Sequence, residues 1–418
     1  MSLREAPLSN AWRGDAWRSN VRRSNAWRSM GPLVFANFLV VLALLTQWLK
    51  AIITGDLGFR DHVIGLDFVN TWLGARLTLA GDVGALFDFG AYNKLLQGFF
   101  GADLPGHIWS YPPHLLPLIA PLGAVPYVAG YALWCALTLL LFLWGARSLG
   151  FRGVDLLLLA TSPAIAMNIV VGQTGALAAG CLMLALGYAA RRPFLAGIAA
   201  ALLTVKPQYG MLLPIAWLLQ RRFRAIGFAI LATLLLIAIS IATVGWPAWE
   251  GFINVTTPAM REVMLSGELP AARLMRPNWA SSLQLLDVPT QAAFLIQSII
   301  SVVIAALWLR LAWRNRGANA VASRPELALL LLGSVLVTPY IHNYDLVLTA
   351  PVVLWAWRDP ALLNLDNHWR RLLLILAWLL PWLMIPLHQV QIIVAPVLLT
   401  LLVLLLFRTA NRFEPKAP

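Results

Sequence analysis

The sequence predicts an all-α polytopic membrane protein. Of its 418 residues, 60% are hydrophobic and only 12% are charged, whereas a soluble domain is about 45–50% apolar and about 25% charged. No soluble core could bury that much apolar surface. The 19 Trp and 26 Pro residues agree with this prediction, because Trp anchors at membrane interfaces and membrane helices tolerate Pro. The composition excludes a cytosolic enzyme, a disulfide-rich secreted fold and a disordered chain.

About twelve transmembrane segments are predicted from the apolar runs. The first, 33–53, is expected to be retained, because the polar and basic tail before it does not fit a cleaved signal peptide. The region 194–219 allows two interpretations: two short spans on either side of a Lys-Pro-Gln turn, or one long helix. The predicted spans after the first are 127–146, 154–171, 175–190, 194–205, 208–219, 225–244, 291–312, 326–340, 344–357, 372–386 and 390–407.

The basic residues set the predicted orientation. With a cytoplasmic N-terminus and twelve spans, 23 of the 31 Lys and Arg residues lie on the cytoplasmic side, and the outer side is net negative. One long helix over 194–219 would move the later basic clusters outside, so two short spans are favoured. The net charge of +13 is therefore explained by the basic residues that set the orientation in the membrane. Nucleic acid is not expected as a partner. The predicted location is the plasma membrane (the inner membrane of a Gram-negative bacterium).

Three regions are predicted: a cytoplasmic basic tail (1–32), one transmembrane domain (33–407) and a second cytoplasmic tail (408–418). The first tail repeats the motif Ser-Asn-Ala-Trp-Arg, which suits an anionic lipid surface or only fixes the orientation. Two predicted outer loops are long, 54–127 and 245–290, whereas the inner loops are short. We therefore expect a site on the outer face, with interfacial helices in the first outer loop.

Polar residues on the predicted outer face are candidates for that site, because ionisable groups at a membrane boundary are costly. Asp67 precedes an interfacial helix, where backbone N–H groups would orient it, either as an N-cap or as a general base. Tyr111-Pro112-Pro113-His114 begins an apolar juxtamembrane segment over 114–125. His114 could contact a phosphate or cap that segment. His107 is expected to be a solvated loop residue.

Three turns between predicted spans carry further candidates. Gln173 stands between two glycines, which let a backbone approach a ligand or simply turn tightly. Lys206, in a Lys-Pro-Gln turn that ends at Gln208, either snorkels or is a fixed cation for a lipid phosphate. The segment His342-Asn343-Tyr344-Asp345 either binds a ligand or forms a structural network. Only two of its side chains, His342 and Asp345, are typical metal ligands, which makes a weak case for a metal site. No nucleotide-binding motif is present, so a lipid-borne donor is expected.

In this order, the features resemble glycosyltransferase family 87, a group of polyprenol-phosphate-sugar-dependent enzymes with the GT-C fold. The resemblance covers about 33–357. It is carried by the acid of the first outer loop, Tyr-Pro-Pro, the Gly-Gln turn, Lys-Pro-Gln and His-Asn-Tyr-Asp. It implies an inverting transfer of a sugar, with mannose the first expectation, from a polyprenyl-phosphate donor. The acceptor would be a lipid or a glycan on the outer face.

The resemblance also implies roles for residues. Asp67 would be the base that removes the proton of the acceptor hydroxyl. The leaving phosphate needs charge stabilisation, for which Lys206, His342 and Arg76 are candidates, although Arg76 could equally anchor an interfacial helix. No metal or other cofactor is expected. The predicted substrate-binding residues are Tyr111, His114, Gln173, Gln208, Asn343, Tyr344 and Asp345.

A transporter or flippase of lipid-linked sugars is the alternative function. Transporters often contain internal repeats and polar residues near the membrane midplane. This chain has no similarity between its halves, and its polar clusters lie at one face, which favours the enzyme. A membrane scaffold would not need Asp67, Lys206 and His342 on a common side.

Overall fold

The chain folds into helices because a membrane requires every backbone polar group to be satisfied internally. The computed structural model describes residues 30–54, 58–59, 62–265, 273–317, 322–359 and 368–412. The tail repeat lies outside the described residues. The α-helices are α1 (Gly31–Thr54), α2 (Phe68–Ala80), α3 (Phe89–Phe100), α4 (Leu116–Ile119), α5 (Tyr127–Ser148), α6 (Val154–Ala160), α7 (Pro163–Val171), α8 (Gly175–Tyr188), α9 (Pro193–Leu203), α10 (Leu213–Leu219), α11 (Phe223–Val244), α12 (Trp246–Gly251), α13 (Thr257–Leu265), α14 (Trp279–Gln284), α15 (Thr290–Arg314), α16 (Arg324–Leu336), α17 (Thr349–Arg358), α18 (His368–Gln389) and α19 (Ala395–Arg412).

Short segments of other structure join these helices. A small antiparallel ribbon after α1 pairs β1 (Gly58–Phe59) with β2 (His62–Val63), which the sequence did not predict. A π-helical turn, Phe252–Thr256, links α12 to α13. The 3₁₀ helices are Val83–Phe87, Pro113–Leu115, Ala120–Ala124, Pro207–Gly210 and Asn343–Leu348.

A helix or a pair of helices lies at each predicted span. Among the described residues, four helices are long and apolar enough to cross a membrane, namely α5, α11, α15 and α18, and α6 with α7 would make a fifth across a 41° bend. The other predicted spans coincide with shorter helices, so twelve crossings stay a prediction. The region 194–219 is broken, as favoured: α9 ends at Leu203 and α10 begins at Leu213.

Glycines allow close packing between α5 and α8 in the helical bundle. A Cβ atom on Gly145 would lie 2.6 Å from the carbonyl oxygen of Gly180, and one on Gly180 would lie 2.7 Å from that of Leu141. Small residues at a crossing let helix backbones meet, as is common in membranes. α8 packs in turn against α9, and α9 against α11.

Apolar side chains cover much of the outer surface. On α11, Ile230, Leu231, Leu234 and Leu235 are each more than half exposed. An apolar surface of this extent is unfavourable in water and favourable in lipid. The exposed helices therefore agree with the predicted membrane protein.

The first long loop has a hydrophobic core of its own. Phe68 and Trp72 of α2 pack against Tyr127 at the start of α5, with ring centroids 5.4 and 5.6 Å apart. The indole of Trp72 also donates to the carbonyl of Val125. The predicted helices of this loop are present as α2, α3 and the segment 113–124, and their position at the membrane surface stays a prediction.

Candidate functional site

The turn after α7 brings two predicted site residues together. Gly172 ends α7 with a φ of 70°, and a Cβ atom there would lie 2.6 Å from Cβ of Phe68 and 2.7 Å from the carbonyl oxygen of Gly65. Only glycine fits this backbone and this space. The backbone N–H of Asp67 donates to the carbonyl of Val171 at 2.9 Å. The start of α2 is thus held directly against the end of α7, next to the turn that carries Gln173.

Asp67 is oriented by a side chain and not by the helix backbone. It occupies the N-cap position of α2, but its carboxylate makes no capping hydrogen bond. The expected orientation by backbone N–H groups is therefore wrong. Instead, Nε2 of Gln173 donates to Oδ2 of Asp67 at 2.7 Å. The side chain of Asp67 is 31% exposed, so the carboxylate stays accessible.

His107 faces the same carboxylate, which the sequence did not predict. Its Nε2 lies 3.8 Å from Oδ1 of Asp67, and its side chain is only 13% exposed, so the expected solvated position is wrong. Its Nδ1 lies 2.6 Å from the carbonyl oxygen of Pro105. Because a carbonyl can only accept, Nδ1 carries a proton and Nε2 is directed at Asp67. Asn93 fixes the loop through two hydrogen bonds to the backbone of His107.

A chain of donors continues behind Gln173. The hydroxyl of Tyr111 donates to Oε1 of Gln173 at 2.5 Å. Burial raises the pKa of Tyr111, so the hydroxyl keeps its proton and remains a donor. With its oxygen occupied by Tyr111, the amide of Gln173 presents its N–H to Asp67 and cannot rotate without losing both bonds.

A cavity of about 500 Å³ lies beside the hydrogen-bonded pair Tyr111 and Gln173. Its size is within the range of small-ligand sites. Asp67 is not among the lining residues, but it accepts a hydrogen bond from Gln173, which is. Its walls come from the segment 110–114, the turn after α9, α11, the helices 246–265 and the turn before Asn343–Leu348. The predicted site residues that line it are Tyr111, His114, Gln173, Lys206, Gln208, His342, Tyr344 and Asp345.

Lys206 and Asp345 form a buried ion pair in the cavity wall. Nζ of Lys206 lies 2.7 Å from Oδ1 of Asp345, and the two side chains are 9% and 1% exposed. The other carboxylate oxygen, Oδ2, accepts from the backbone N–H of His342 at 3.1 Å. Lys206 therefore does not snorkel, and its charge is already balanced. Asp345 therefore holds Lys206 and the backbone of this turn in place. It does not fix the tautomer of a histidine ring.

The two histidines of the cavity are uncharged at neutral pH. Burial, with the nearby charges of Arg276 and Lys206, lowers the pKa of His342 well below its usual value. Burial lowers the pKa of His114 to about 4. His114 lies 3.0 Å from Oγ1 of Thr204 and does not cap its segment. Neither ring is a cation, so each can only offer a neutral hydrogen bond to a phosphate.

Two arginines of the second long loop approach the cavity, and the sequence prediction missed both. Arg261, on α13, lines the cavity, is exposed, and has no ion pair within the described ranges. Arg276 is 1% exposed, donates to the carbonyl of Val263 and lies 5.8 Å from the ring of Tyr340. The described residues place no carboxylate beside it. In the sequence, the length of this loop was the feature that could have pointed to these two arginines.

Besides Asp67, two predicted site residues do not line the cavity. The guanidinium of Arg76 is exposed and stacks over Trp72 at 4.9 Å and Phe99 at 5.3 Å, which favours the interfacial anchor. Asn343 is buried, its backbone N–H donates to Met275 and its amide donates to Pro381. Its role is to hold the turn that carries its neighbours.

The described residues contain no group of three His, Cys, Asp or Glu side chains that could hold a metal ion. The third ligand that a His/Asp metal site in the turn 342–345 would need is therefore not found among them.

The sequence model of glycosyltransferase family 87 matches residues 109–339, more than half of the chain. The match is shorter than the resemblance over 33–357. It includes Tyr111, Gln173 and Lys206, whereas Asp67 precedes it and His342 follows it. No curated protein and no solved structure gives a match. The apolar surface and this match lead to one conclusion: the chain belongs to glycosyltransferase family 87 and is a membrane glycosyltransferase.

Proposed function

We propose that the protein is an inverting glycosyltransferase that moves a sugar, with mannose the first expectation, from a polyprenyl-phosphate donor to a lipid or glycan hydroxyl. The reaction takes place on the outer face of the plasma membrane. One observation carries the proposal: an accessible carboxylate, Asp67, is held by Gln173, and Gln173 lines a cavity of about 500 Å³.

Asp67 acts as the general base. The acceptor oxygen attacks the anomeric carbon and its proton moves to the carboxylate, while the bond to the phosphate oxygen breaks and that oxygen keeps the electron pair. A single displacement of this kind inverts the anomeric centre. The N–H of Gln173 occupies Oδ2, which leaves Oδ1, on the side of His107, to accept the proton.

Arg261 is the best-placed cation for the leaving phosphate. Lys206 and Asp345 together carry no net charge, and His342 is neutral. The guanidinium of Arg261 lines the cavity and is not spent on an ion pair within the described ranges. A fixed guanidinium can pair with two phosphate oxygens. Arg276, behind Tyr340, adds positive potential to the same wall.

The donor reaches the cavity from the lipid. Thr233 and Ile237 of α11 line the cavity, whereas Leu234 and Leu235 on the same helix are each 58% exposed. One helix thus separates the cavity from the apolar surface. A polyprenyl chain can stay in the bilayer along α11 while its phosphate enters the cavity, and a soluble nucleotide sugar would gain nothing from this arrangement.

The decisive experiment compares Asp67→Asn with wild type, using purified protein, a radiolabelled polyprenyl-phosphate sugar and a lipid extract. We expect transfer to fall at least about 100-fold, the lower range of general-base catalysis. Asp88→Asn is the matched control, because Asp88 lies in the same loop and caps α3 through the N–H of Ala91. Asn is also a good N-cap, so the control should keep its activity.

Full activity of Asp67→Asn would contradict the assigned base. The flippase alternative has its own readout, which is movement of the labelled lipid across vesicles that contain the protein. Translocation without transfer to any acceptor would replace the proposed function with that alternative.

A further inference from the structure

A second cavity lies at the other end of α5 from the candidate active site. It has a volume of about 260 Å³, and its lining includes no carboxylate. The last turn of α5 contributes Arg147, the loop after it contributes Arg152, and the loop after α8 contributes two further arginines. The residues that line this cavity, called the arginine cavity below, are Arg147, Ser148, Arg152, Tyr188, Arg191 and Arg192.

The four guanidinium groups of the arginine cavity have no acidic partner in the described part of the chain. By contrast, Arg358 is paired with Asp155. The shared lining brings these like charges close together, and burial with the neighbouring charges of Arg147 and Arg191 lowers the pKa of Arg152. A cleft lined by charges of one sign raises the local concentration of counter-ions, so this cavity attracts anions.

Two of these arginines are already held in place. Nη1 of Arg152 donates to the backbone carbonyls of Arg147 and Phe151. The guanidinium of Arg192 stacks on the ring of Tyr188 at 5.5 Å. The hydroxyl of Tyr188 accepts from the indole of Trp144 at 3.0 Å. A pre-positioned guanidinium loses less entropy when it binds a phosphate than a free one does.

The position of the arginine cavity indicates a ligand borne by lipid. α5 has 22 residues, so its ends are about 33 Å apart, which is close to the thickness of a bilayer's hydrocarbon core. Along one side of α5, Leu133, Leu137, Leu140 and Trp144 are exposed. This apolar stripe ends at Trp144, three residues before Arg147. The cavity therefore opens where lipid headgroups would lie.

We propose that the arginine cavity binds the phosphate of an anionic lipid headgroup. Basic pockets between membrane helices are known to suit such headgroups. Orientation in the membrane requires only basic loops, and does not require arginines of two loops to share a cavity with an aromatic support. The proposal does not depend on the transfer reaction, because this cavity is about 30 Å from Asp67 by the length of α5.

Native mass spectrometry of the full-length protein tests the proposal. The protein is exchanged into phosphatidylcholine nanodiscs with or without phosphatidylglycerol, and the lipid retained after extraction is counted. Arg147→Gln/Arg191→Gln is compared with Arg221→Gln/Arg224→Gln, which removes the same charge from exposed positions just before α11 and in its first turn. We expect the first variant to retain phosphatidylglycerol at least about tenfold more weakly than wild type, and the second to retain it close to wild type.

Three results would overturn the proposal. Wild type could retain phosphatidylglycerol no better than phosphatidylcholine. The two variants could lose retention equally, which would indicate nonspecific attraction. Inorganic phosphate at millimolar concentration could displace the lipid from wild type without affecting the variant, which would identify a soluble phosphate as the ligand. Unfolding in phosphatidylcholine alone confirms that both variants are folded, and sugar transfer is measured separately.

Discussion

The two ends of α5 use charged residues in opposite ways. Near Tyr127, the charges around the cavity are buried or held by hydrogen bonds, apart from the exposed Arg261: Lys206 pairs with Asp345 at 2.7 Å, and Asp67 accepts from Gln173 at 2.7 Å. Near Ser148, four arginines are exposed and have no acidic partner among the described residues. At the Tyr127 end, most charged groups hold other residues in place, whereas at the Ser148 end the arginines remain accessible to a ligand.

The difference predicts how each end responds to mutation. A buried polar group that loses its partner costs free energy even when nothing else moves. An exposed arginine without a partner can be removed at little cost in stability. We therefore expect stability and catalysis to depend strongly on pairs at the Tyr127 end, and only lipid retention to depend on the Ser148 end.

The largest expected effect comes from breaking the buried ion pair. Lys206→Met leaves the carboxylate of Asp345 without its cation in a site that is 1% exposed. We expect the free energy of unfolding to fall by about 3–5 kcal/mol, seen as a lower midpoint in thermal or denaturant unfolding in detergent. Arg191→Gln, at the other end of α5, should change it by less than about 0.5 kcal/mol.

The double variant Lys206→Met/Asp345→Leu separates the pair from the packing. It removes both charges, so most of the lost stability should return, although transfer should stay low. A single variant as stable as wild type would show that the pair contributes nothing, and the contrast between the two ends of α5 would fail.

The next effect concerns the amide that holds the base. Gln173→Leu removes the donor to Asp67 and the acceptor of Tyr111. We expect kcat to fall about 10–100-fold, the cost of one hydrogen bond to a charged group, with little change in the KM for the donor. Tyr111→Phe is the matched variant, because it keeps the amide of Gln173 and loses only the bond behind it, so its kcat should fall less. A larger loss for Tyr111→Phe would contradict this order of roles.

The sequence predicted the helices and much of the cavity for physical reasons. Apolar runs mark helices, and residues such as Tyr111, Gln173 and Lys206 follow or precede runs that end on the same side. The pairing of Lys206 with Asp345 was not predictable, because 139 positions separate two turns that only the packed bundle brings together. His107 was missed because it faces Asp67 from an irregular loop, where no periodicity reports direction.

The smallest expected effect concerns Arg261, which lines the cavity and has no ion pair within the described ranges. Arg261→Gln should raise the KM for the polyprenyl-phosphate sugar up to about fivefold and leave kcat nearly unchanged, because an exposed charge contact contributes about 1 kcal/mol or less. Added salt should raise the KM of wild type and not that of the variant, since screening acts on the charge that the variant lacks. Arg76→Gln is the control: it removes an exposed guanidinium that stacks on Trp72 away from the cavity, and its KM should match wild type. If the KM increased for Arg76→Gln and not for Arg261→Gln, the phosphate would bind on the α2 side, near Arg76, and the role given to Arg261 would be wrong.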